Sequence, residues 1–224
     1  MVLSLSPGPA PLDKSAEVAE NTQLWRISDD VWDRWERPAN ERFSQGVKNQ
    51  FAVITSWIPF VKPGNWPDAY MLPVGMFGPS PGFGEPRCTR LTEDEQRTLM
   101  TLWAIARSPL IVGANLTWLD RKTTRLLTNA DVIAMNQRGH DQKMEEEDDQ
   151  LVVWTSKGED GRAYLAIFNI SDDGVKIEVA LARYGLTAKR YSAKDIWEQK
   201  DLGNIDTAKG DIAAHGVLLL ELRP

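Results

Sequence analysis

The stretch 91–116, LTEDEQRTLMTLWAIARSPLIVGANL, decides the fold class. Thr92 stands three residues before Glu95, the spacing of a capping box in which each side chain satisfies a free backbone N–H of the other. Leu99, Leu102, Trp103 and Ala106 then recur on one face at helical spacing. Pro109 ends the helix, and PLIVGA (109–114) is a short β-prone run closed by the polar cluster GANL (113–116). A helix, a short strand and a polar turn in that order form one beat of an alternating α/β chain.

The same beat is legible upstream. VLSLS (2–6) reads as a strand, PGPAP (7–11) as a loop and LDKSAEVAENTQ (12–23) as a short helix. LWRIS (24–28) is a second strand, ending in the polar cluster DDVWD (29–33). NERFSQGVKNQFAVITSWIPF (40–60) has helical spacing at Phe43, Val47, Gln50/Phe51 and Ile54. VKPGNWPDAYMLPVG (61–75) is a breaker-rich loop around a brief strand, and LDRKTTRLLTN (119–129) and ADVIAMNQ (130–137) are short helices. Residues 1 to about 137 therefore predict about four βα units with parallel strands. The polar clusters follow strand ends, where α/β barrels carry their chemistry. A closed barrel needs eight units, so a half barrel is expected to expose two sheet edges, and either the missing half comes from elsewhere or the chain is an incomplete product.

Near residue 140 the pattern changes. EEEDDQ (145–150) reads as a solvated acidic turn. After it LVVWTS, AYLAIFNI, VKIEVAL, AKRYSAKDIW and GVLLLEL, separated by Gly, Asp and Ser turns, predict an antiparallel β domain of about 80 residues.

Composition narrows the function. A chain of 224 residues with 42% hydrophobic and 26% charged residues is of ordinary globular make-up. A net charge of −6 argues against a general nucleic-acid binder, and no apolar run reaches the ~20 residues that span a membrane as a helix. Cys88 is the single cysteine, which rules out an internal disulfide and a multi-cysteine zinc site. The opening run MVLSLSPGPAP (1–11) lacks the charged, apolar and cleavage-site regions of a signal peptide, so none is expected in it. His140 and His215 are far apart and make no metal or nucleophile pair with Cys88. PSPGFGEP (79–86) has glycines but lacks the Lys-Ser/Thr and helix start of a phosphate loop. Nine tryptophans supply core, and flat platforms for sugar rings besides.

The carboxylates remain. Glycoside hydrolysis needs two carboxyl groups facing each other across the scissile bond. Asp29, Asp30 and Asp33 are candidates for one of the two roles, and alternation sends Asp29 and Asp30 in opposite directions. Arg26, four residues before Asp30, can pair with a carboxylate or hold a substrate hydroxyl. The competing reading is that Asp30 or Asp33 caps the next helix. Asp68, after Trp66 and Pro67, could orient Arg26, bind a hydroxyl, or simply form a turn.

LWRISDDVWDRW (24–35), PGNWPDAYMLPVG (63–75), RLTEDEQRTLMTLWAIARSPLIVGANL (90–116) and LLTNADVIAMNQ (126–137), in this order, resemble the second half of glycoside hydrolase family 27, which contains α-galactosidases and α-N-acetylgalactosaminidases. The resemblance implies an α/β fold: residues 1–140 as the C-terminal half of a (β/α)₈ TIM barrel, about strands 5 to 8, and 141–224 as an antiparallel β-sandwich. It implies a retaining reaction with two aspartates. The family's Trp-Arg-x-x-x-Asp motif falls on Trp25, Arg26 and Asp30, which makes Asp30 the acid/base and Arg26 a substrate-binding arginine. Its Trp-x-Asp-x-Asp-Met loop falls on Trp66 to Met71, with Asp68 retained and Tyr70 in place of the second acid. Ser6 falls where α-galactosidases often carry a Glu, leaving room at the sugar's 2-position. Nothing matches the family's Lys-Tyr-Asp nucleophile motif. The expectation is a portion of a retaining enzyme acting on terminal α-galactosyl residues, inactive alone, with N-acetylgalactosamine or arabinopyranose specificity as alternatives. A sugar-binding pseudoenzyme and a split-barrel subunit are rivals from other classes. No metal or organic cofactor is implied, and no nucleic-acid or membrane partner is expected. A secreted or periplasmic location is expected for the intact protein.

Overall fold

The computed structural model describes residues 1–41, 43–78 and 85–224. The first region carries three short parallel strands, β1 (Ser4–Leu5), β2 (Leu24–Arg26) and β3 (Trp66–Asp68), in the order β1-β2-β3. Between them run α1 (Ser15–Asn21) and α2 (Gln50–Trp57). A two-stranded hairpin comes next, β4 (Met76–Phe77) with β5 (Arg87–Cys88), and then α3 (Glu93–Ile105), α4 (Arg121–Leu127) and α5 (Ala130–Arg138).

The capping box of α3 forms as its spacing predicts. Glu95 N–H donates to Thr92 Oγ1 at 3.2 Å, and Thr92 N–H donates to Glu95 Oε2 at 2.7 Å. Its face of Leu99, Leu102, Trp103 and Ala106 is buried.

Two expectations for this region are corrected. The run PLIVGA forms no ladder: it makes one parallel bridge, Leu72 to Val112, flanked by Leu72 N–H to Ile111 C=O at 2.7 Å and Gly113 N–H to Leu72 C=O at 3.0 Å. Tyr70, at φ 85°, stops β3 before it reaches that neighbour. The helical spacing from Phe43 becomes helix only at Gln50. Ser44 is left-handed at φ 63°, and Asn49 Oδ1 accepts from the Arg37 and Gly46 amides, so local side-chain bonding takes over the backbone there.

The second region holds eight strands. β6 (His140–Glu147), β7 (Leu151–Lys157), β8 (Ala163–Asn169), β10 (Tyr191–Asp195), β11 (Lys200–Ile205) and β13 (Val217–Arg223) form one antiparallel sheet in the order β11-β10-β13-β8-β7-β6. β9 (Val175–Ala180) pairs with β12 (Thr207–Ile212) in a second. Every residue of β8 is buried because both its faces are covered, which is why AYLAIFN reads as an unbroken apolar run. One face packs on β9 and β12 through Leu165, Ile167, Ile177, Ala208 and Leu222. The other face meets the first region.

The acidic run is corrected as well: Glu145, Glu146 and Glu147 belong to edge strand β6, and the turn begins at Asp148. Charged side chains on an edge strand deter further pairing, and here Glu145 accepts from Thr155 Oγ1 at 2.7 Å while Glu146 accepts from Tyr184 at 3.0 Å.

A single buried cluster crosses from one region to the other, running from Trp25, Ile54 and Trp103 to Trp154, Phe168 and Leu219. Phe51 of α2 meets Phe168 of β8 edge-on at 5.1 Å, and α3 lies against β7, β8 and β13. One residue, Gly139, joins α5 to β6, and a Cβ there would stand 2.4 Å from Met135 C=O. The edges of the first region are bare by contrast. Val2, Leu3 and Leu5 on the β1 side, and Ile111, Leu116 and Trp118 on the other, are exposed.

Candidate functional site

The site is built at the end of the parallel strands. Alternation along β2 buries Trp25 completely, against Trp57 at 6.0 Å, and turns Arg26 to the opposite face. Parallel register sets Arg26 beside Asp68. The chain continues in line for one more bond, Ile27 N–H to Asp68 C=O at 2.9 Å, and then leaves the sheet.

Arg26 organises the loop beyond the strand. Its Nε donates to Ser28 C=O at 2.7 Å, its Nη2 pairs with Asp30 Oδ1, and its guanidinium lies over the Tyr70 ring at 4.3 Å. Asp30 is therefore held from one side by a fixed fork, with its side chain 24% exposed. Its carbonyl accepts from Gln45 N–H at 2.7 Å, which anchors the backbone beneath the carboxyl.

Asp68 is buried, with Oδ1 accepting from Tyr70 N–H at 2.9 Å. Burial pushes its carboxyl above the usual range, against the pull of that N–H and of the Arg26 charge. It thus forms a turn and also faces Arg26 electrostatically. Burial pushes the Tyr70 phenol up too, and the Asp30 carboxylate beside it acts in the same direction. The left-handed Tyr70 is locked by its neighbours: its carbonyl accepts from Trp103 Nε1 at 2.9 Å.

Arg26, Asp30, Asp68 and Tyr70 are thus brought together. Ser6 stands apart, exposed one residue past β1 and level with Arg26 in the strand register, with no hydrogen bond to the cluster among the described residues. Neither Asp30 nor Asp33 caps a helix; α2 starts at Asn49 without a side-chain cap. Asp33 is buried and gripped by Arg87, with a 2.9 Å bond from Nη2 to Oδ1, a second contact from Nη1, and a 2.8 Å bond from Arg90 N–H. Burial pushes its carboxyl up, but these donors outweigh it and hold it below the ordinary range. The sequence carries no signal for that grip, because Arg87 lies 54 residues away, beyond α2, β3 and the start of the hairpin. The glycine-rich run 79–86 lies largely outside the described residues. Among those described, no three His, Cys, Asp or Glu side chains gather as metal ligands do, and no helix is long and apolar enough to cross a membrane.

A cavity of about 920 Å³ lies elsewhere, between α3, α4, α5 and the β10–β11 turn. Of the charged groups in its lining, Lys194 pairs with Asp131 at 2.7 Å, and Arg97 reaches out to Glu198 at 2.7 Å.

With the geometry in hand, comparison with known proteins is decisive. The model of the family "Alpha galactosidase A" matches residues 9–138, and that of "Alpha galactosidase C-terminal beta sandwich domain" matches 148–222. The chain belongs to glycoside hydrolase family 27. The family 27 β-L-arabinopyranosidase from Geobacillus stearothermophilus superposes with a TM-score of 0.90 at 40% identity, over all of this chain and 50% of that one. α-Galactosidase D of Emericella nidulans is 30% identical over 88% of this chain and 28% of its own length. The α-galactosidase of Oryza sativa is 26% identical over 89% of this chain and 44% of its own. The chain thus spans half or less of these family 27 relatives. The family fold is a (β/α)₈ barrel followed by a β-sandwich, and the described residues supply part of the first and the second.

Proposed function

We propose that this chain carries the acid/base half of a retaining family 27 glycosidase that acts on terminal α-galactosyl residues. The observation that carries the reading is Asp30, fixed by Arg26 just past the end of β2 with its carboxyl partly exposed. In this role Asp30 donates a proton to the leaving oxygen and then takes one from water. Arg26 and Asp68 hold the sugar's hydroxyls, Tyr70 lines its edge, and Ser6 leaves space at the 2-position.

No Lys-Tyr-Asp nucleophile motif occurs in the 224 residues, so the second carboxyl is expected from outside them. Asp33 is engaged by Arg87 and Arg90, and Asp68 is buried on the Tyr70 amide. A double displacement needs a free carboxylate facing the acid. The bare edges at β1 and Ile111 are where a complementing set of βα units would join. The chain alone is therefore expected to be inactive.

A second reading of the sugar is favoured by one finding, the 40% identity to a β-L-arabinopyranosidase against 26–30% to α-galactosidases. Arabinopyranose is the same ring without the hydroxymethyl group, so both readings use the same residues here.

The test is reconstitution. The chain is mixed with a polypeptide supplying the first four βα units of a family 27 enzyme, and hydrolysis of an unactivated α-galactoside and β-L-arabinopyranoside is followed. Turnover only in the mixture, lost by ~10³-fold in D30N, supports the proposal. Turnover by the chain alone, or a D30N mixture as fast as wild type, overturns it. The ratio of the two substrates decides the sugar.

A further inference from the structure

His215 joins three parts of the molecule that the catalytic reading leaves unconnected. It sits in the turn between β12 and β13, and its ring lies flat on Trp35, centroids 4.1 Å apart with the planes 13° from parallel. Nδ1 meets Glu95 Oε1 at 2.8 Å, and Nε2 meets Asp172 Oδ1 at 2.9 Å. Its carbonyl accepts from Thr98 Oγ1 at 2.7 Å. Glu95 thus serves twice, closing the α3 capping box with one oxygen and fixing the ring with the other.

The backbone at His215 is left-handed, at φ 58°, a conformation that persists only where the surroundings over-determine it. Here they do. Asn169, fully buried, donates through Nδ2 to the carbonyls of Asp173 at 2.7 Å and Ala213 at 2.9 Å, and Gly216 N–H closes on Ala213 C=O at 3.0 Å. The ring is presented at a fixed place by a rigid turn, and its face is given to a residue of the first region's loop.

That loop is the one that bears Asp30. Its two limbs are zipped by Gln45 N–H to Asp30 C=O at 2.7 Å, Trp32 N–H to Gln45 C=O at 3.1 Å, and Lys48 N–H to Trp35 C=O at 2.8 Å. At Gly46 a Cβ would stand 2.4 Å from Trp35 C=O, so the limbs touch backbone to backbone. A displacement of Trp35 therefore reaches Asp30 through paired main chain.

We propose that His215 is a positioning residue for the Asp30 loop, acting through its stack on Trp35; the catalytic consequence rests on the acid/base role proposed for Asp30. The sandwich domain, which holds none of the residues assigned here to the sugar, then sets the aim of the acid.

Hydrogen exchange on the 224-residue chain tests the mechanical claim. H215N keeps a residue type that tolerates left-handed backbone and removes the ring. Amides of 29–37 and 44–48 are expected to exchange at least ~10-fold faster, with α3 and β8 unchanged. W35A should give the same pattern, and W35F, which keeps a flat partner, should stay near wild type. Unchanged loop exchange in H215N overturns the proposal, and so does acceleration spread equally over α3 and β8, which would make His215 general glue. In the reconstituted enzyme H215N should lower kcat by about 10-fold with KM within about two-fold. An unchanged kcat in an active mixture also overturns it. A wild-type mixture without turnover strikes the acid/base reading alone, because the exchange result still decides whether His215 holds the loop.

Discussion

The two halves of this chain use their strands in opposite ways. In the first region three strands of two or three residues, among the described residues, carry the parallel sheet, and Leu3 and Leu5 on its β1 side face solvent. In the second, strands of five to eight residues form a six-stranded sheet with one face on a second sheet and the other on barrel helices. The short strands end in polar loops that present Arg26, Asp30 and Asp68, whereas the long ones are spent almost wholly on packing. The proposed chemistry sits where the sheet is thinnest, and by the His215–Trp35 stack its loop leans on the second region.

The strongest attempt to break that contrast is to cut the seam between the regions. F168A removes the ring that meets Phe51 and should cost about 3 to 5 kcal/mol. Because the buried cluster is continuous, urea unfolding should remain one transition, with fluorescence and circular dichroism coincident. Two separated transitions would show two independent cores.

A smaller effect is expected inside the loop that follows β2. D33N should cost about 2 to 3 kcal/mol, since it weakens charge-assisted bonds to a buried side chain. The Asp33 carboxyl is held low in the folded state, so its contribution is complete above the unfolded value of about 4 and is lost as pH falls through the lower folded value. Wild type should therefore lose more stability than D33N between about pH 5 and pH 2, read from melting temperatures. Parallel pH profiles would remove Asp33 from the acid response.

Smaller again is T92A, which takes one arm from the capping box and should cost about 1 kcal/mol in chemical unfolding. Least is L5K on the bare β1 edge. It should change stability by less than about 0.5 kcal/mol, because Leu5 buries little, yet it should raise the concentration at which the chain self-associates in sedimentation. A large stability loss would mean that this edge is packed.

The same contrast explains what the sequence discloses. α3 is legible because its cap and apolar face lie within fifteen residues, and β8 because an all-buried strand is an unbroken apolar run. Arg26, Asp30 and Asp68 are legible as residues through the family motifs, and their convergence comes from strand register. Edge strands β6, β11 and β12 are hidden, since HDQKMEEE, KDLGNI and TAKGDI carry little apolar signal and are set by their neighbours. The helix expected from Phe43 starts late because Asn49 and Ser44 impose a local turn that periodicity does not register. The grips of Arg87 on Asp33 and of His215 on Trp35 are long-range pairings between residues whose types are common on any surface.

The seam also bears on the order of events at the ribosome. α3 is complete once residue 105 has been made, but the faces it packs against, β8 and β13, are translated some 60 and 110 residues later by the spans of those strands. Until 217–223 emerge, Leu99, Leu102 and Trp103 wait with part of their cover missing, and Thr98 has no His215 carbonyl to meet. A nascent chain of this design is most open to chaperones and proteases in its first region, and it is β13, remote from Arg26 and Asp30, that ends the exposure.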